Sequence, residues 1–255
     1  MKAMVLAAGL GTRLRPLTNE RPKALVTLGG CTLLEITLRR LVVAGVTDVI
    51  VNAHHFAPQI EQFLAANSAM LAGLGIRVEI SLEDKLLDTG GGLRHAAHFF
   101  LRNGEAGDEP FLVHNVDVLS SIDLAAMVQA HRERGALVTL AVQRRAGTRQ
   151  LLFDEAGLLC GRHTAQLPEE LVRPVATTQP MAFCGIHVLS PAVLLRLDHD
   201  DAEAAAFPII PTYLRLAVEG ARIVAYRADG CYWRDLGTID ALKQAEDDLR
   251  RGEIA

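Results

Sequence analysis

The sequence predicts an α/β fold: a mostly parallel sheet with helices on both faces. Three observations carry this expectation. A short apolar stretch at the N-terminus runs straight into Gly9 and Gly11; through about residue 135, strand-like runs alternate with segments of helical periodicity; and polar residues suited to chemistry fall where those strands end.

Taken in order, Met1 to Ala8 reads as a buried strand, and the two glycines after it permit a sharp bend that β-carbons would block. Thr32 to Ala44 carries Leu33, Leu34, Leu38, Leu41 and Val42 at helical spacing, with Gly45 as a stop. Strand Asp48 to Asn52, helix Pro58 to Ala66 and strand Ile76 to Ser81 follow. The triple glycine Gly90 to Gly92 precedes a helix expected over Leu93 to Leu101, and Phe111 to Asn115 is a further strand. Near Ala136 the pattern changes. Leu137 to Gln143 is a strand, Leu151 to Phe153 with Gly157 to Cys160 a hairpin, and Gly161 to Pro180 a polar, proline-containing segment. Met181 to Leu189 is a strand and Ser190-Pro191 opens a helix; strand Ile223 to Arg227, a turn at Asp229-Gly230 and a helix from Ile239 complete the chain. No long linker divides it, so residues 1–255 are expected to form one domain with halves at 1–135 and 136–255.

Composition narrows the function. A chain of 255 residues, 50% hydrophobic, can bury a large core, and a net charge of -4 without a long basic run opposes nucleic-acid binding. Cys31, Cys160, Cys184 and Cys231 show no C-x-x-C spacing and read as thiols in a reducing compartment rather than as a zinc site. The apolar start is too short, and too soon followed by Arg13 and Arg15, to be a secretion signal; no stretch reaches the roughly 20 apolar residues of a membrane span. A cytoplasmic protein with a small-molecule partner is expected.

The run Leu6-Ala7-Ala8-Gly9-Leu10-Gly11-Thr12-Arg13-Leu14-Arg15-Pro16-Leu17-Thr18, followed by Arg21-Pro22-Lys23, concentrates backbone amides and positive charge at a strand end, an arrangement suited to polyphosphate. Leu14 stands where a dinucleotide fingerprint needs its third glycine, and no G-K-[ST] follows, so neither a nicotinamide site nor an ATPase P-loop is indicated. Asp117 lies just past the strand Phe111 to Asn115, where it can face a ligand crevice or cap the next turn. His54-His55 cannot readily share one ion, because adjacent residues on an extended end point apart.

The opening run resembles that of the sugar-1-phosphate nucleotidylyltransferases, L-A-A-G-x-G-T-R-L-x-P-L-T followed by P-K. The resemblance implies a Rossmann-like sheet of the nucleotidyltransferase and GT-A kind, with a small β-rich sugar-binding extension in the second half. It implies that Ala7, Ala8, Gly9, Gly11 and Thr12 bind the nucleoside triphosphate, and that Arg13 and Lys23 act on its phosphates. Asn115-Val116-Asp117 matches the family's N-x-D triplet, and Trp233-Arg234-Asp235-Leu236-Gly237-Thr238 its W-x-D-x-G-T, so Asn115 is expected at the nucleotide and Asp117 and Asp235 as ligands of Mg²⁺, with Mn²⁺ a substitute. Two converging carboxylates suit Mg²⁺, which completes its shell with water and phosphate oxygens. Leu87 to Gly92 occupies the place that lies over the base, implicating Thr89 and Gly90 with either Glu83 or Asp88 as acceptor of a base or ribose hydrogen bond, and the T-G-G-G form resembles the N-acetylmuramate-1-phosphate uridylyltransferase and heptose-phosphate guanylyltransferase branches. The segments 148–154 and 183–187 resemble S-R-x-L-L-F-D and F-x-G-I of the muramate branch and imply that Arg149 and Gly185 meet the sugar; Cys184 and Arg162-His163 depart from it.

The implied reaction joins an NTP to a sugar 1-phosphate, with UTP and N-acetylmuramate 1-phosphate first and GTP with a heptose or mannose 1-phosphate second. A glycosyltransferase would need D-x-D at a strand end, whereas Asp198-His199-Asp200 follows a helix-like segment and reads as a solvated loop. A non-catalytic nucleotide-sugar sensor would be expected to lack one of Arg13, Lys23, Asp117 or Asp235, all present here. No hexapeptide-repeat tail, as carried by relatives fused to an acyltransferase, is seen, and the oligomeric state is left open.

Overall fold

A computed structural model describes residues 1–165, 167–197 and 205–254. Its centre is a ten-stranded sheet. The strands are β1 (Lys2–Leu6), β2 (Asp48–Ala53), β3 (Arg77–Leu82), β4 (Phe111–Asn115), β5 (Val138–Gln143), β6 (Arg149–Phe153), β7 (Leu159–Thr164), β8 (Leu167–Leu171), β9 (Gln179–Leu189) and β10 (Ile223–Arg227). Their order is β8-β7-β6-β9-β4-β1-β2-β3, with β5 on β9 and β10 on β5. The block β4-β1-β2-β3 is parallel, with Leu6 opposite both Asn52 and Asn115, so three strands end together at one edge. The long β9 is antiparallel to β4 through Ile186–Leu189 and to β6 through Gln179–Met181. One sheet therefore runs through both halves of the sequence.

Side-chain alternation along the strands builds two cores, as period two requires. Ala3, Val5, Val49, Val51 and Leu112 face helices α1 (Leu33–Val43), α2 (Ala57–Ala66), α6 (Leu124–Glu133) and α8 (Ile239–Arg250). Met4, Ile50, Val113 and Leu140 face α4 (Asp88–His95), α5 (Ala97–Phe100) and α7 (Ile209–Val218) on the other side. The short α3 (Ser68–Gly73) follows α2. Local signals set several helix starts. The Thr32 hydroxyl accepts from Glu35 N, Asp123 from Ala126 N and Thr238 from Ala241 N, each satisfying an amide that the first turn leaves unpaired.

Most expected elements stand within a residue or two of their positions, and the departures have physical causes. The helix expected from Leu93 begins at Asp88, so the triple glycine lies inside it rather than ahead of it. Those glycines make room for other parts of the chain, both side chains and backbone: a β-carbon on Gly90 would lie 2.3 Å from the Phe207 ring, one on Gly91 2.4 Å from the Ala205 carbonyl oxygen, and one on Gly92 2.8 Å from Glu83 Oε1. The polar segment after Gly161 contains β8, and α6 and α7 were not anticipated. Pro191–Arg196 is a 3-10 turn. Asp198-His199-Asp200 lies outside the described residues. A two-stranded ribbon pairs Val118–Ser120 with Trp233–Asp235 and places Asp235 opposite Val118.

Candidate active site

A cleft of about 510 Å³ opens at the carboxyl ends of β1, β2, β3 and β4. Its walls are Leu6, Ala8, Gly9, Lys23, Asn52, Glu83, Leu86, Asp88, Thr89, Asn115, Asp117 and Ala206. Eight of these were singled out from sequence: Ala8, Gly9, Lys23, Glu83, Asp88, Thr89, Asn115 and Asp117. A larger depression of about 640 Å³ lies between Pro16–Arg21 and α8, but none of the sequence-predicted residues lines it.

The glycine-rich loop is held from within. Gly11 has φ +63°, and a β-carbon there would sit 3.0 Å from Thr18 Cγ2 and 3.2 Å from Lys23 Cβ, so glycine is required for both conformation and space. The Thr18 hydroxyl donates to the Gly11 carbonyl at 2.8 Å, and Thr12–Leu14 forms a single 3-10 turn. The loop thus returns towards Pro22-Lys23.

Lys23 reaches the far side of the cleft. Its Nζ lies 2.5 Å from Asp117 Oδ2, and the two side chains are only 14% and 11% exposed. Arg13 Nη2 lies 3.8 Å from Asp235 Oδ1 in a more open setting. The same Oδ1 accepts from Gly237 N at 2.7 Å, and a β-carbon on Gly237 would fall 2.5 Å from Arg13 Nη2. Leu236 N donates to the Asp117 carbonyl at 2.8 Å, so the two acid-bearing segments run side by side although Asp117 and Asp235 are 118 positions apart in the chain. The fold brings Arg13, Lys23, Asp117 and Asp235 into one constellation of two cations and two carboxylates.

Other predicted residues are less free than their positions suggested. Ala7 N and Ala8 N point inward, donating to Asn52 Oδ1 at 2.6 and 3.3 Å. Glu83 is 3% exposed, and its two oxygens accept from Asn52 Nδ2 at 2.7 Å and Leu87 N at 3.0 Å. Thr89 Oγ1 accepts from Ile209 N, and Gly90 N donates to the Phe207 carbonyl. Gly185, with φ +73°, leaves room for Asn115: a β-carbon would sit 2.8 Å from Asn115 Nδ2. Neither Gly185 nor Arg149, an exposed residue at the start of β6, lines the cleft. His54 Nδ1–H donates to the Glu83 carbonyl at 2.8 Å, a structural role that accounts for one of the two adjacent histidines.

Asn52 and Arg145 were missed from sequence. Asn52 offered one signal, a polar residue closing the apolar run Val49-Ile50-Val51. The Arg145 guanidinium stacks 3.6 Å from the Trp233 ring centroid and donates to the Phe183 carbonyl, while Trp233 Nε1 donates to the Cys184 carbonyl at 2.8 Å. Beneath the site, His114 is fully buried, and burial lowers its pKa to about 4. Burial likewise raises the Cys184 thiol to about 11, which leaves it protonated and unsuited to nucleophilic chemistry.

Among the described residues, no group of three or more histidine, cysteine, aspartate or glutamate side chains could enclose a metal ion. The donor set at hand is two oxygen ligands, which fits a divalent ion that takes one or two carboxylates and leaves its other positions to water and substrate.

With this geometry, the comparison with known proteins defines the class. The nucleotidyl transferase family model matches residues 2–252, and the chain belongs to that family. It is 34% identical, over 96% of its length and 95% of the relative's, to N-acetylmuramate alpha-1-phosphate uridylyltransferase of Caulobacter vibrioides. It is 30% identical, over 98% of its length and 65% of the relative's, to mannose-1-phosphate guanylyltransferase of Mycobacterium tuberculosis. Among solved structures, a putative glucose-1-phosphate thymidylyltransferase from Bacillus anthracis aligns with a TM-score of 0.78 at 18% identity, covering 98% of this chain and 95% of that one. A UDP-glucose pyrophosphorylase aligns at 0.76 and 17% identity, covering 98% of each chain. At these identities the structural matches speak to fold alone, and they agree with the α/β architecture described above.

Proposed function

We propose that this chain transfers a nucleoside monophosphate from an NTP to a sugar 1-phosphate, releasing pyrophosphate and a nucleotide sugar. The observation that carries the reading is the constellation of Arg13, Lys23, Asp117 and Asp235, of which Lys23 and Asp117 line a cleft formed by strand ends. A sugar phosphate oxygen attacks the α-phosphorus in line, so no protein nucleophile is needed, and the work left to the protein is positioning and charge neutralisation. Lys23, a compact ammonium within reach of the cleft, neutralises charge around the α-phosphate; Arg13 and the amides of Gly9, Gly11 and Thr12 hold the leaving pyrophosphate. Asp117 and Asp235 would hold Mg²⁺, or Mn²⁺ in its place, which supplies further positive charge at the phosphates. Lys23 and Arg13 balance these carboxylates when no metal is bound.

UTP and N-acetylmuramate 1-phosphate are the leading substrates, supported by the identity and nearly complete mutual coverage of the uridylyltransferase relative. GTP with mannose 1-phosphate is the second reading, supported by the 30% identical guanylyltransferase. We read residues 1–255 as one domain, because β9 joins strands of both halves, and as a cytoplasmic enzyme; no described helix is long and apolar enough to cross a membrane. The test is a panel of the four common nucleoside triphosphates against sugar 1-phosphates, read as pyrophosphate release with Mg²⁺. Turnover with UTP and the muramate substrate supports the first reading, turnover with GTP and mannose 1-phosphate the second, and nucleoside diphosphate release from a separately added nucleotide sugar would point to glycosyl transfer.

A further inference from the structure

The two ends of the cleft are joined by a hydrogen-bonded strut whose polarity leaves no freedom. Ala7 N and Ala8 N, at the root of the glycine-rich loop, both donate to Asn52 Oδ1. That fixes the amide, since turning it over would set an NH₂ group against two N–H groups. Asn52 Nδ2 must then donate outward, and it meets Glu83 Oε1 at 2.7 Å. The other oxygen, Oε2, accepts from Leu87 N at 3.0 Å, immediately before α4 and the cleft residues Asp88 and Thr89. Asn52 and Glu83 are each 3% exposed. Gly92 packs on the joint itself: a β-carbon there would lie 2.8 Å from Glu83 Oε1 and 2.9 Å from Asn52 Nδ2.

Position 83 is therefore faced by two donors and must offer two acceptors, which an ionised carboxylate does and a glutamine does not. We infer that Glu83 is a positioning residue rather than a reader of the base: with Asn52 it holds the phosphate loop and the opposite wall, Leu87 to Thr89, at a fixed separation. The inference rests on the nucleotidyl-transfer reading of this cleft and goes beyond it by moving Glu83 from contact with the nucleotide to the framework behind it. A polarity-ordered strut on rigid strands suits this task, because catalysis by positioning depends on small displacements.

The same polarity supplies the test, through compensating exchange. Glu83→Gln sets an NH₂ against a donor, and Asn52→Asp sets a carboxylate against a carboxylate. In the double variant Asn52→Asp/Glu83→Gln the central bond simply reverses, with the amide introduced at position 83 donating to the carboxylate introduced at position 52 while both outer bonds survive. Each single variant is expected to lower kcat/KM by about tenfold or more, the scale of one mispaired buried polar group, equally for UTP, GTP, CTP and ATP. The double variant is expected to recover to within about threefold of wild type, as compensated neighbours do in a double-mutant cycle. A double variant no better than the poorer single would overturn the strut, and so would a Glu83→Gln enzyme whose preference among the four triphosphates shifted by about tenfold, the mark of lost base contact. Titration of each triphosphate, followed by the fluorescence of Trp233, reads the same cycle without turnover. An inactive wild type would then count against nucleotidyl transfer, while failure of the cycle in binding would count against the strut.

Discussion

Lys23→Ala tests the centre of the site. The Lys23–Asp117 pair is 2.5 Å apart with both side chains mostly buried. Coulomb attraction at that distance is about 6 to 7 kcal/mol at an effective dielectric of ~20, but desolvation of both ions offsets much of it. Breaking a buried pair from one side costs about 3 to 5 kcal/mol, and the lower end applies because Asp117 lines an open cleft where water can replace the ammonium. At about 2 to 4 °C per kcal/mol for a chain of this size, the melting temperature should fall by roughly 6 to 12 °C in chelator. Turnover reports a different quantity. If Lys23 stabilises charge developing around the α-phosphate more than charge already present, kcat should drop by about 100-fold or more, while triphosphate affinity weakens much less. Steady-state kinetics beside direct nucleotide titration separates the two. A variant with normal kcat and only a raised KM would reduce Lys23 to a binding group, and one with neither kinetic change would leave it as a structural partner of Asp117 alone.

Asp117→Asn and Asp235→Asn should both abolish most turnover, which should also vanish in chelator, but only the first should lower the melting temperature appreciably, because the Arg13–Asp235 contact is long and exposed; near wild-type rates at saturating Mg²⁺ would remove either aspartate from the metal. Stability should fall as pH drops from about 6.5 towards 5. Burial lowers the pKa of His114 and His131 to about 4 and of His187 to about 3, so the unfolded chain takes up their protons first, at about 1.4 kcal/mol per pH unit for each. Urea midpoints that stay level between pH 7 and pH 5 would contradict that burial. Gly185→Ala should cost about 1 to 3 kcal/mol through its positive φ, and should raise KM by displacing Asn115 from the cleft wall; unchanged kinetics with a lower melting temperature would confine Gly185 to a structural role.

Local chemistry made much of this protein legible in sequence. The apolar runs within Lys2–Leu6 and Phe111–Asn115 marked strands because a strand covered on both sheet faces must hide successive side chains. The helical spacing of Leu33, Leu34, Leu38, Leu41 and Val42 marked the first helix, because those positions fall on one face of a 3.6-residue turn. Likewise, Gly11, Lys23, Asp117 and Asp235 stood out by residue type and motif. Other features depend on partners distant in the chain and carry no local signal. The triple glycine looked like a loop, yet it lies in a helix, since the groups it makes room for, Ala205, Phe207 and Glu83, arrive from elsewhere. Arg145 lacked any sequence mark because its partner ring is Trp233, 88 residues away. The amides of Ala7 and Ala8 resembled free phosphate donors until the parallel register of β1 and β2 set Leu6 opposite Asn52. Residue type determined which groups could perform the chemistry; the register of the sheet and the convergence of strand ends decided which of them face the cleft and which brace it, because a hydrogen bond is assigned by where its two partners meet in space.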